Sequence, residues 1–482
     1  MSRDTRVNTF GGHRLSNKDD VMKLISDCPE TVFGYMQVSN SEIGNFGQAQ
    51  GNQGIARRHT LCTSHKQFRR LTQRSYKRAI SGWKLIIMSI TATALIICPG
   101  PARSDEFKLT PSLTVSEKYN DNIFLTDSDV QKDWVTVLAP GFELVDRTER
   151  FDLNLKARLD DIHYNDLQDL NAVDQFYSGR VRFAVNDKMT LAPSAGFSRD
   201  SQPDREIDST GLILSTGRRD KQNYGLSMDY RLHDKTMASV SYKYDAERYD
   251  QADQTDWWSQ AVSLDLVSDL DRWLRGTGRL NIGYAHYHFE GNTIDSYSAT
   301  VGLKRDFSEK WSLLADVGGR YTDSSFEVLQ ATLVPPATIV ITSEERSNRG
   351  WGTVGQLVMA YKDDFTTGNV TLKKDIMPAS GRNGMADRTL VSFDLRRRFT
   401  YEFQGFVKGG YYLNKSDSGD YAVQEIDEET MRGDVGVRYE FTRDMFLEFS
   451  YGYTKTRDRS NDTDADRNLL LLRFFIQHSI LE

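Results

Sequence analysis

Cysteine is nearly absent from this chain. Its 482 residues include three cysteines, Cys28, Cys62 and Cys98, and none lies beyond residue 98. The rest of the chain therefore forms no disulfide, and the spacing of the three fits no metal-ligand motif. Such a distribution suits a protein that crosses an oxidising compartment unfolded, because it carries no thiols that can mispair.

Long apolar runs, proline and basic patches are also scarce. Mean hydropathy is −0.56 and 38% of residues are hydrophobic, which excludes a protein built from membrane-spanning helices. The 10 prolines leave room for long hydrogen-bonded strands. A net charge of −7 without a long basic patch in the strand region gives no support to a nucleic-acid partner. No phosphate loop or nucleophile motif is present, so we expect no enzyme and no cofactor.

Alternation of apolar and polar residues dominates the chain from about Leu109 onward. In Phe151–Asp160 every second residue is apolar and every intervening residue is polar or charged. A strand points successive side chains to opposite faces. The pattern returns about eighteen times, and an even number is typical of single-chain bacterial barrels. The sequence therefore predicts an all-β fold, a transmembrane antiparallel up-and-down β-barrel of about 18 strands over residues 105–482.

The predicted connections alternate between short and long. The short set is Asp146–Glu149, Asn186–Lys188, His233–Lys235, Ser308–Lys310, Lys362–Phe365, Thr400 and Thr442–Asp444. The long set is Asn120–Lys132, Asp200–Arg219, Asp323–Asn348, Pro378–Asp387, Lys415–Thr430 and Lys455–Arg467. Outer-membrane barrels have short turns in the periplasm and long loops outside the cell. The alternation therefore favours the outer membrane of a Gram-negative cell over a soluble sandwich.

An export signal precedes this region. Lys77, Arg78 and Lys84 come before the apolar run Leu85–Cys98, and small or helix-breaking residues follow. This order is that of a signal peptide, and the run is short for a spanning helix, although a short membrane anchor is the alternative. We assign residues 69–104 to the signal peptide region. Residues 1–68 are predicted to be a disordered extension, either upstream of the real start or part of a long leader.

The alternation also assigns faces to the strands. Arg or Lys at mid-membrane on the lipid face costs roughly 2–4 kcal/mol, so apolar faces should meet lipid and charged faces should line the lumen. The residues predicted to face lipid are Leu153, Leu155, Leu226, Tyr230, Val240, Tyr242, Val437 and Tyr439. The residues predicted to line the lumen are Lys156, Arg158, Arg180, Arg182, Asp229, Arg231, Lys243, Lys304, Arg320, Asp394, Arg396, Arg398 and Arg438.

Aromatic residues cluster at the ends of the predicted strands. The chain contains 22 Tyr and 24 Phe, and aromatic girdles mark both membrane interfaces of a barrel. The candidate girdle residues are Trp134, Tyr164, Trp257, Trp258, Phe307, Trp311, Tyr321, Phe399, Tyr401, Phe441 and Phe446. His286 and His288 share one strand face, but no third ligand lies near them in sequence, so we predict no metal site.

The opening strand and its loop resemble a known family. The segment Pro111–Phe124 ends in Tyr-Asn-Asp-Asn-Ile-Phe, and it is similar to the first strand of the family described as putative beta-barrel porin 2. The closing strand Arg467–Phe475 is similar in style, and the resemblance spans roughly residues 105–477. It implies an outer-membrane barrel, and relatives associated with exopolysaccharide loci imply a role in polymer export. The chain departs at Ile476–Glu482, because many barrels finish on an aromatic residue.

Three functions remain open at this stage. The first is a porin-like channel, with an exopolysaccharide conduit as its specific form, and the mixed charge of the lumen fits a weakly selective pore or a hydrated polymer. The second is a structural or adhesive barrel with a closed lumen, whose long loops bind a partner. The third is an outer-membrane hydrolase. The expected partners are the bilayer with its lipopolysaccharide, the barrel assembly machinery, and an exopolysaccharide with its periplasmic export apparatus.

Overall fold

The computed structural model describes residues 106–480, apart from 202–216, 253, 271–275, 335–337, 418–420 and 424. The predicted N-terminal extension and the signal peptide lie outside the described residues, as does most of the loop after Asp200. Within the described residues, no helix is long and apolar enough to cross a membrane. The described part of the chain is almost entirely strand.

Eighteen strands follow one another along the chain. Their bounds are β1 Glu106–Asn120, β2 Asp133–Arg147, β3 Phe151–Tyr164, β4 Ala172–Asn186, β5 Met189–Asp200, β6 Arg219–His233, β7 Thr236–Tyr249, β8 Trp257–Asp269, β9 Thr277–Phe289, β10 Asn292–Asp306, β11 Trp311–Val334, β12 Thr338–Lys362, β13 Thr366–Pro378, β14 Met385–Arg398, β15 Phe403–Ser416, β16 Ile426–Thr442, β17 Met445–Asp458 and β18 Thr463–Gln477. Each predicted strand has a counterpart in this series.

The strands close into a ring. Every strand pairs antiparallel with the next along the chain, and β18 pairs with β1 over Ser112–Asn120 and Gln477–Leu469. The predicted up-and-down barrel of 18 strands is confirmed. Closure matters because lipid offers no hydrogen-bond partner to an exposed strand edge, so a spanning sheet must have none.

The connections divide between two ends of the barrel. At the turn end, where β1 begins and β18 ends, the connections are 148–150, 187–188, 234–235, 270–276, 307–310, 363–365, 399–402 and 443–444. At the loop end they are L1 (121–132), L2 (165–171), L3 (201–218), L4 (250–256), L5 (290–291), L6 (335–337), L7 (379–384), L8 (417–425) and L9 (459–462).

Two predicted long loops are wrong in extent. The segment predicted as the loop Asp323–Asn348 is mostly strand, because β11 and β12 continue as a hairpin until Val334 pairs with Thr338. Apolar β-branched residues flank its turn, but they lack the period-two pattern of a half-buried strand. In the loop predicted at Lys455–Arg467, only L9 is not strand. L5, at Gly291 with φ 72°, is a tight turn at the loop end, so the alternation of lengths is less regular than predicted.

The segment resembling the porin family joins the first and last strands. Beyond the last residue pair of this seam, the Asp121 carboxylate accepts hydrogen bonds from the backbone N–H (2.6 Å) and side-chain amide (2.7 Å) of Asn468. Asn122 is 2% exposed, and its amide donates to the carbonyls of Thr126 (2.8 Å) and Asp466 (2.9 Å). These contacts extend the seam past the end of its ladder.

Replacing Asn122 tests this role. Asn122→Ala removes both donated bonds and the bond that its side-chain oxygen accepts from the Thr126 N–H. We expect the free energy of unfolding to fall by about 1–3 kcal/mol, because buried partners lose their hydrogen bonds. Urea titration of the protein refolded in lipid vesicles measures it. Asn165→Ala is the control, since this exposed amide donates to the neighbouring Asp166 at 2.9 Å. Equal losses in the two variants would contradict the assignment.

Candidate functional site

Strand register divides the side chains of the wall between two faces. Directly opposed residues on neighbouring antiparallel strands point the same way, so each face can be followed around the ring. The face that carries the buried residues Asp160, Asp174 and Arg320 is the inner one, because only the interior of a closed barrel is enclosed by protein. The candidate site is this inner face, with the loops that fold over it.

The structure places all thirteen residues predicted to line the lumen on the inner face. They are Lys156, Arg158, Arg180, Arg182, Asp229, Arg231, Lys243, Lys304, Arg320, Asp394, Arg396, Arg398 and Arg438. They come from eight different strands, so they form no single cluster. That a solute meets them stays a prediction.

Many charges of the inner face occur in neighbouring pairs of opposite sign. The Lys156 ammonium lies 3.1 Å from Glu143, and the Lys243 ammonium lies 2.8 Å from Asp245. The same holds for Arg158 with Asp160, Arg279 with Asp316, and Arg388 with Asp375. Opposite charges in contact neutralise each other, so one wall can carry many of them. Each exposed pair adds only about 0–1 kcal/mol to the stability of the fold.

Five of the thirteen residues predicted to line the lumen are cations with no carboxylate within 4.0 Å among the described residues; they are Arg180, Arg182, Arg231, Lys304 and Arg398. All five lie in the halves of their strands nearer the turn end. Their donors face the interior and are available to a solute or to water. This part of the lumen therefore offers positive charge that the wall does not pair.

The inner face contains two sizeable cavities. One, of about 450 Å³, lies against β13–β18 and is lined by residues such as Lys408, Arg438 and Glu448. The other, of about 560 Å³, lies against β18 and β1–β6 and is lined by Lys156 and Arg158 among others. Both volumes lie within the roughly 300–1,000 Å³ usual for small-molecule sites.

The outer face carries the eight residues predicted to face lipid, namely Leu153, Leu155, Leu226, Tyr230, Val240, Tyr242, Val437 and Tyr439. Leu153 is half-buried and the others are exposed. A row of rings crosses four strands on this face: Tyr284, Tyr297, Tyr321 and Trp351 follow one another at centroid distances of 5.0, 6.4 and 5.2 Å. Such a row is typical of a membrane interface.

Three of the predicted girdle residues are on the inner face instead, which corrects their assignment. Trp257 is 9% exposed and packs against Phe289, and Tyr164 packs on an apolar cluster of β2 and β3. Phe446 stacks on Phe475 at 4.9 Å. Position near a strand end indicated a girdle, but the side-chain direction depends on register, which composition does not reveal.

The first loop folds into the barrel. Ile123 of L1 is 3% exposed and packs against the inward residues Val135, Val137 and Ile162. Phe124 packs on the same cluster. L1 therefore covers part of the inner wall of β2 and β3, and the apolar end of the segment resembling the porin family serves as its anchor.

L7 reaches across to two distant parts of the ring. The Gly381 carbonyl accepts a hydrogen bond from the Thr255 N–H of L4 (2.7 Å), and the Asn383 amide donates to the Glu290 carbonyl of L5 (2.6 Å). Arg382, between these two, contacts Glu428 of β16 and lies 3.9 Å from Asp458 of β17. In a ring of eighteen strands, β9 and β17 are nearly opposite, so L7 is a strap across the loop end.

Packing holds the strap in place. Met385, immediately after L7, is buried against Trp257, Phe289 and Ile294 of β8–β10. Gly384 pairs with Ala422 of L8. L4, L5, L7 and L8 are therefore connected at the loop end, a feature that the sequence pattern did not predict because the contacts join residues far apart in the chain.

Glu428 lies beyond the membrane-facing part of β16. Its outward neighbour Glu429 pairs with Arg459 at 2.6 Å, whereas apolar outward residues begin at Met431. Burial raises the pKa of Glu428 to about 7, against the opposing effect of Arg382 and with a further increase from Asp458. The strap is thus attached at a carboxyl group that titrates near neutrality.

His286 and His288 lie on the outer face of β9. The His286 Nδ1 is 2.9 Å from Asp295, and both imidazoles lie near the Trp258 ring. Within the described residues, no group of three or more His, Cys, Asp or Glu is placed to hold a metal ion. The two imidazoles therefore pack with Trp258 on the outer face.

The N-terminal part of the barrel is similar in sequence to a family of porins. The sequence model of the family putative beta-barrel porin 2 matches residues 102–256, which include the segment that carries the resemblance. No curated protein sequence matches the chain.

Solved outer-membrane proteins match much of the chain at low sequence identity. The outer membrane protein OpdK from Pseudomonas aeruginosa is 11% identical, with a TM-score of 0.40 over 77% of this chain and 99% of that chain. OccAB4 from Acinetobacter baumannii is 11% identical, with a TM-score of 0.41 over 79% of this chain and 100% of that chain. The siderophore receptor PirA from Pseudomonas aeruginosa is 10% identical, with a TM-score of 0.40 over 77% and 80% of the respective chains.

Arginine substitutions on adjacent residues of β7 test the two faces. Val240 points outward within the apolar belt, and Ser241 points inward beside Ser263. We expect Val240→Arg to lower the free energy of unfolding in vesicles by roughly 2–4 kcal/mol, because its charge enters hydrocarbon. Ser241→Arg should cost about 1 kcal/mol or less, the value of one hydrogen bond. Equal costs at the two positions would refute the face assignment.

The raised pKa of Glu428 predicts a pH dependence of stability. The native carboxyl holds its proton up to about pH 7, whereas its ordinary pKa is 4.5. The resulting stabilisation is full below the ordinary pKa and is lost as the pH rises through about 7, up to about 3 kcal/mol. Unfolding in urea at pH 5 and pH 8 should show this loss in the wild type and not in Glu428→Gln. Glu429→Gln, the exposed neighbour, is the control and should keep the wild-type dependence.

Proposed function

We propose that this protein is a porin-like channel of the Gram-negative outer membrane, through which hydrophilic solutes pass. The observation that carries the proposal is the contrast between the faces of one closed wall. The outer face exposes residues such as Leu226 and Val437, while the inner face holds charged pairs and two cavities. The match of residues 102–256 to a porin family supports passage rather than catalysis.

An exopolysaccharide conduit is the specific form that we favour. A hydrated polymer needs a path lined by groups that exchange hydrogen bonds with hydroxyls, and it tolerates both signs of charge. The inner face offers such groups on many strands, among them Asn369, Gln404 and Ser450. The partners of such a protein would be the bilayer and its lipopolysaccharide, the barrel assembly machinery, and the periplasmic apparatus that delivers the polymer.

The β11–β12 hairpin favours a second candidate, a barrel whose projecting segment binds a partner. The pairing of β11 with β10 ends at Phe326, and that of β12 with β13 ends at Gly355. Residues 327–334 and 338–345 pair only with each other among the described strands. A two-stranded projection of this length is suited to contact with another molecule, as a structural or adhesive barrel whose long outer loops bind a partner requires.

Conductance tests the channel. The purified full chain, with heat-modifiable gel migration as evidence of folding, is inserted into planar bilayers. We expect discrete current steps of weak ion selectivity, because the inner face carries both signs of charge. A correctly folded protein that remains silent over many insertions would contradict the proposal.

Shortening the hairpin separates the two candidates. Replacing 328–344 with the two residues Asn-Gly joins Glu327 to Glu345 through a tight turn, which the pairing of these residues permits. A channel keeps its current steps after this replacement, while an adhesive barrel loses partner binding in a cell-surface assay. Loss of binding together with a silent wild type would favour the second candidate.

A further inference from the structure

The cavity against β13–β18 has an excess of positive charge. Its lining includes five cations and three carboxylates. The cations are Arg396, Lys408, Arg432, Arg438 and Arg473, and the carboxylates are Asp394, Asp434 and Glu448. Two positive charges therefore remain after each carboxylate is matched once.

One carboxylate serves two arginines. Glu448 has a 5% exposed side chain, and its Oε2 accepts hydrogen bonds from Arg438 Nε (3.0 Å) and Nη2 (2.6 Å). Its Oε1 accepts a bond from Arg473 Nη1 (3.2 Å). Both oxygens are thus occupied by guanidinium groups, and the pair of arginines keeps one positive charge and several free donors.

A second carboxylate is shared in the same way. Asp394 lies 3.3 Å from Arg396 Nε and 3.9 Å from Lys408 Nζ. Arg432, by contrast, is matched by Asp434 at 3.1 Å. The two unmatched charges therefore arise at two places in the same cavity.

The other inner cavity differs in this respect. Its cations Lys156 and Arg158 are matched by Glu143 at 3.1 Å and by Asp160 at 2.8 Å. The positive excess beside β13–β18 is therefore a property of that cavity rather than of cavities along the wall in general.

The free donors define the ligand. Guanidinium groups bind carboxylates through paired hydrogen bonds. The amides of Asn369 and Gln404 and the hydroxyl of Ser392 line the same cavity and can exchange hydrogen bonds with sugar hydroxyls. Phe406, which lies 5.5 Å from the Lys408 ammonium, adds an apolar surface. A sugar ring that carries hydroxyls and one carboxylate can contact all three kinds of group, namely the guanidinium donors, the neutral polar side chains and the apolar ring of Phe406.

We propose that this cavity is a binding site for a carboxylate-bearing sugar of the uronate type. The proposal rests on the proposed channel function and names its solute class. The sugar carboxylate completes the pairing of Arg438 and Arg473, or of Arg396 and Lys408, and its hydroxyls bind the neutral polar side chains. A free uronate and a uronate-containing polymer share this chemistry.

Galacturonate and galactose provide matched probes, since they differ at the carboxylate. The full chain is reconstituted in planar bilayers at constant ionic strength, and each sugar is added to one side. We expect galacturonate to interrupt the current at concentrations where galactose has no effect. Arg473→Gln should raise the half-blocking concentration about tenfold, the effect of one charge-assisted hydrogen bond. Identical behaviour of the two sugars would overturn the site.

Glu448→Gln gives a test in the opposite direction. Removing the shared negative charge adds to the positive excess, so the half-blocking concentration of galacturonate should fall. Arg279→Gln is the matched control, because this inner arginine is paired with Asp316 on β9–β11, outside the cavity. A site that is merely structural would not give opposite shifts in Arg473→Gln and Glu448→Gln, and unchanged block in both would refute the proposal.

Two further arms distinguish the sources and the modes of failure. Longer interruptions by oligogalacturonate than by the monomer support a polymer as the ligand, and block by the monomer alone supports a free sugar acid.

If the folded barrel gives no current, the channel proposal fails, and galacturonate binding is then measured by calorimetry in detergent. Saturable binding that weakens in Arg473→Gln keeps the site, whereas its absence overturns it.

Discussion

Closure of the backbone ladder between β1 and β18 is the interaction on which the rest of the structure depends. A sheet in lipid must satisfy every backbone N–H and C=O within itself, because hydrocarbon accepts no hydrogen bond. Hydrogen bonds that the Asp121 carboxylate accepts from Asn468 continue this seam at the loop end. At the turn end the chain continues along β1, where His478 N donates to the Pro111 carbonyl at 3.1 Å. The residues after the last aromatic pair thus extend the seam.

Closure of the ring also determines which face of each strand points inward and which points outward. Alternation in one strand gives two faces, and the register passes those faces from strand to strand until they meet at the seam. For this reason the sequence alone predicted the eighteen strands and the opposed directions of Leu155 and Lys156, which follow from a period of two. A shift of one residue at any pair would bring the charged face of that strand into lipid.

Contacts between distant parts of the chain could not be predicted in this way. The inward fold of Ile123 and the span of L7 from Thr255 to Glu428 depend on how loops meet across the ring. The hairpin of β11 and β12 was missed for a different reason. Beyond the other strands it has no wall to divide into two faces, so the period-two signal that identifies a half-buried strand is absent there.

Protein stability alone explains some features of the lumen, but it does not explain the sharing of Glu448 between two arginines. One-to-one pairs such as Lys156 with Glu143 neutralise the charges of the wall at little cost. Two guanidiniums on one buried carboxylate leave a positive charge that the fold does not compensate, and removing either arginine would still leave a pair. Stability therefore accounts for Arg438 or for Arg473, but not for both. A ligand carboxylate accounts for the second arginine, since it supplies the partner that the wall omits.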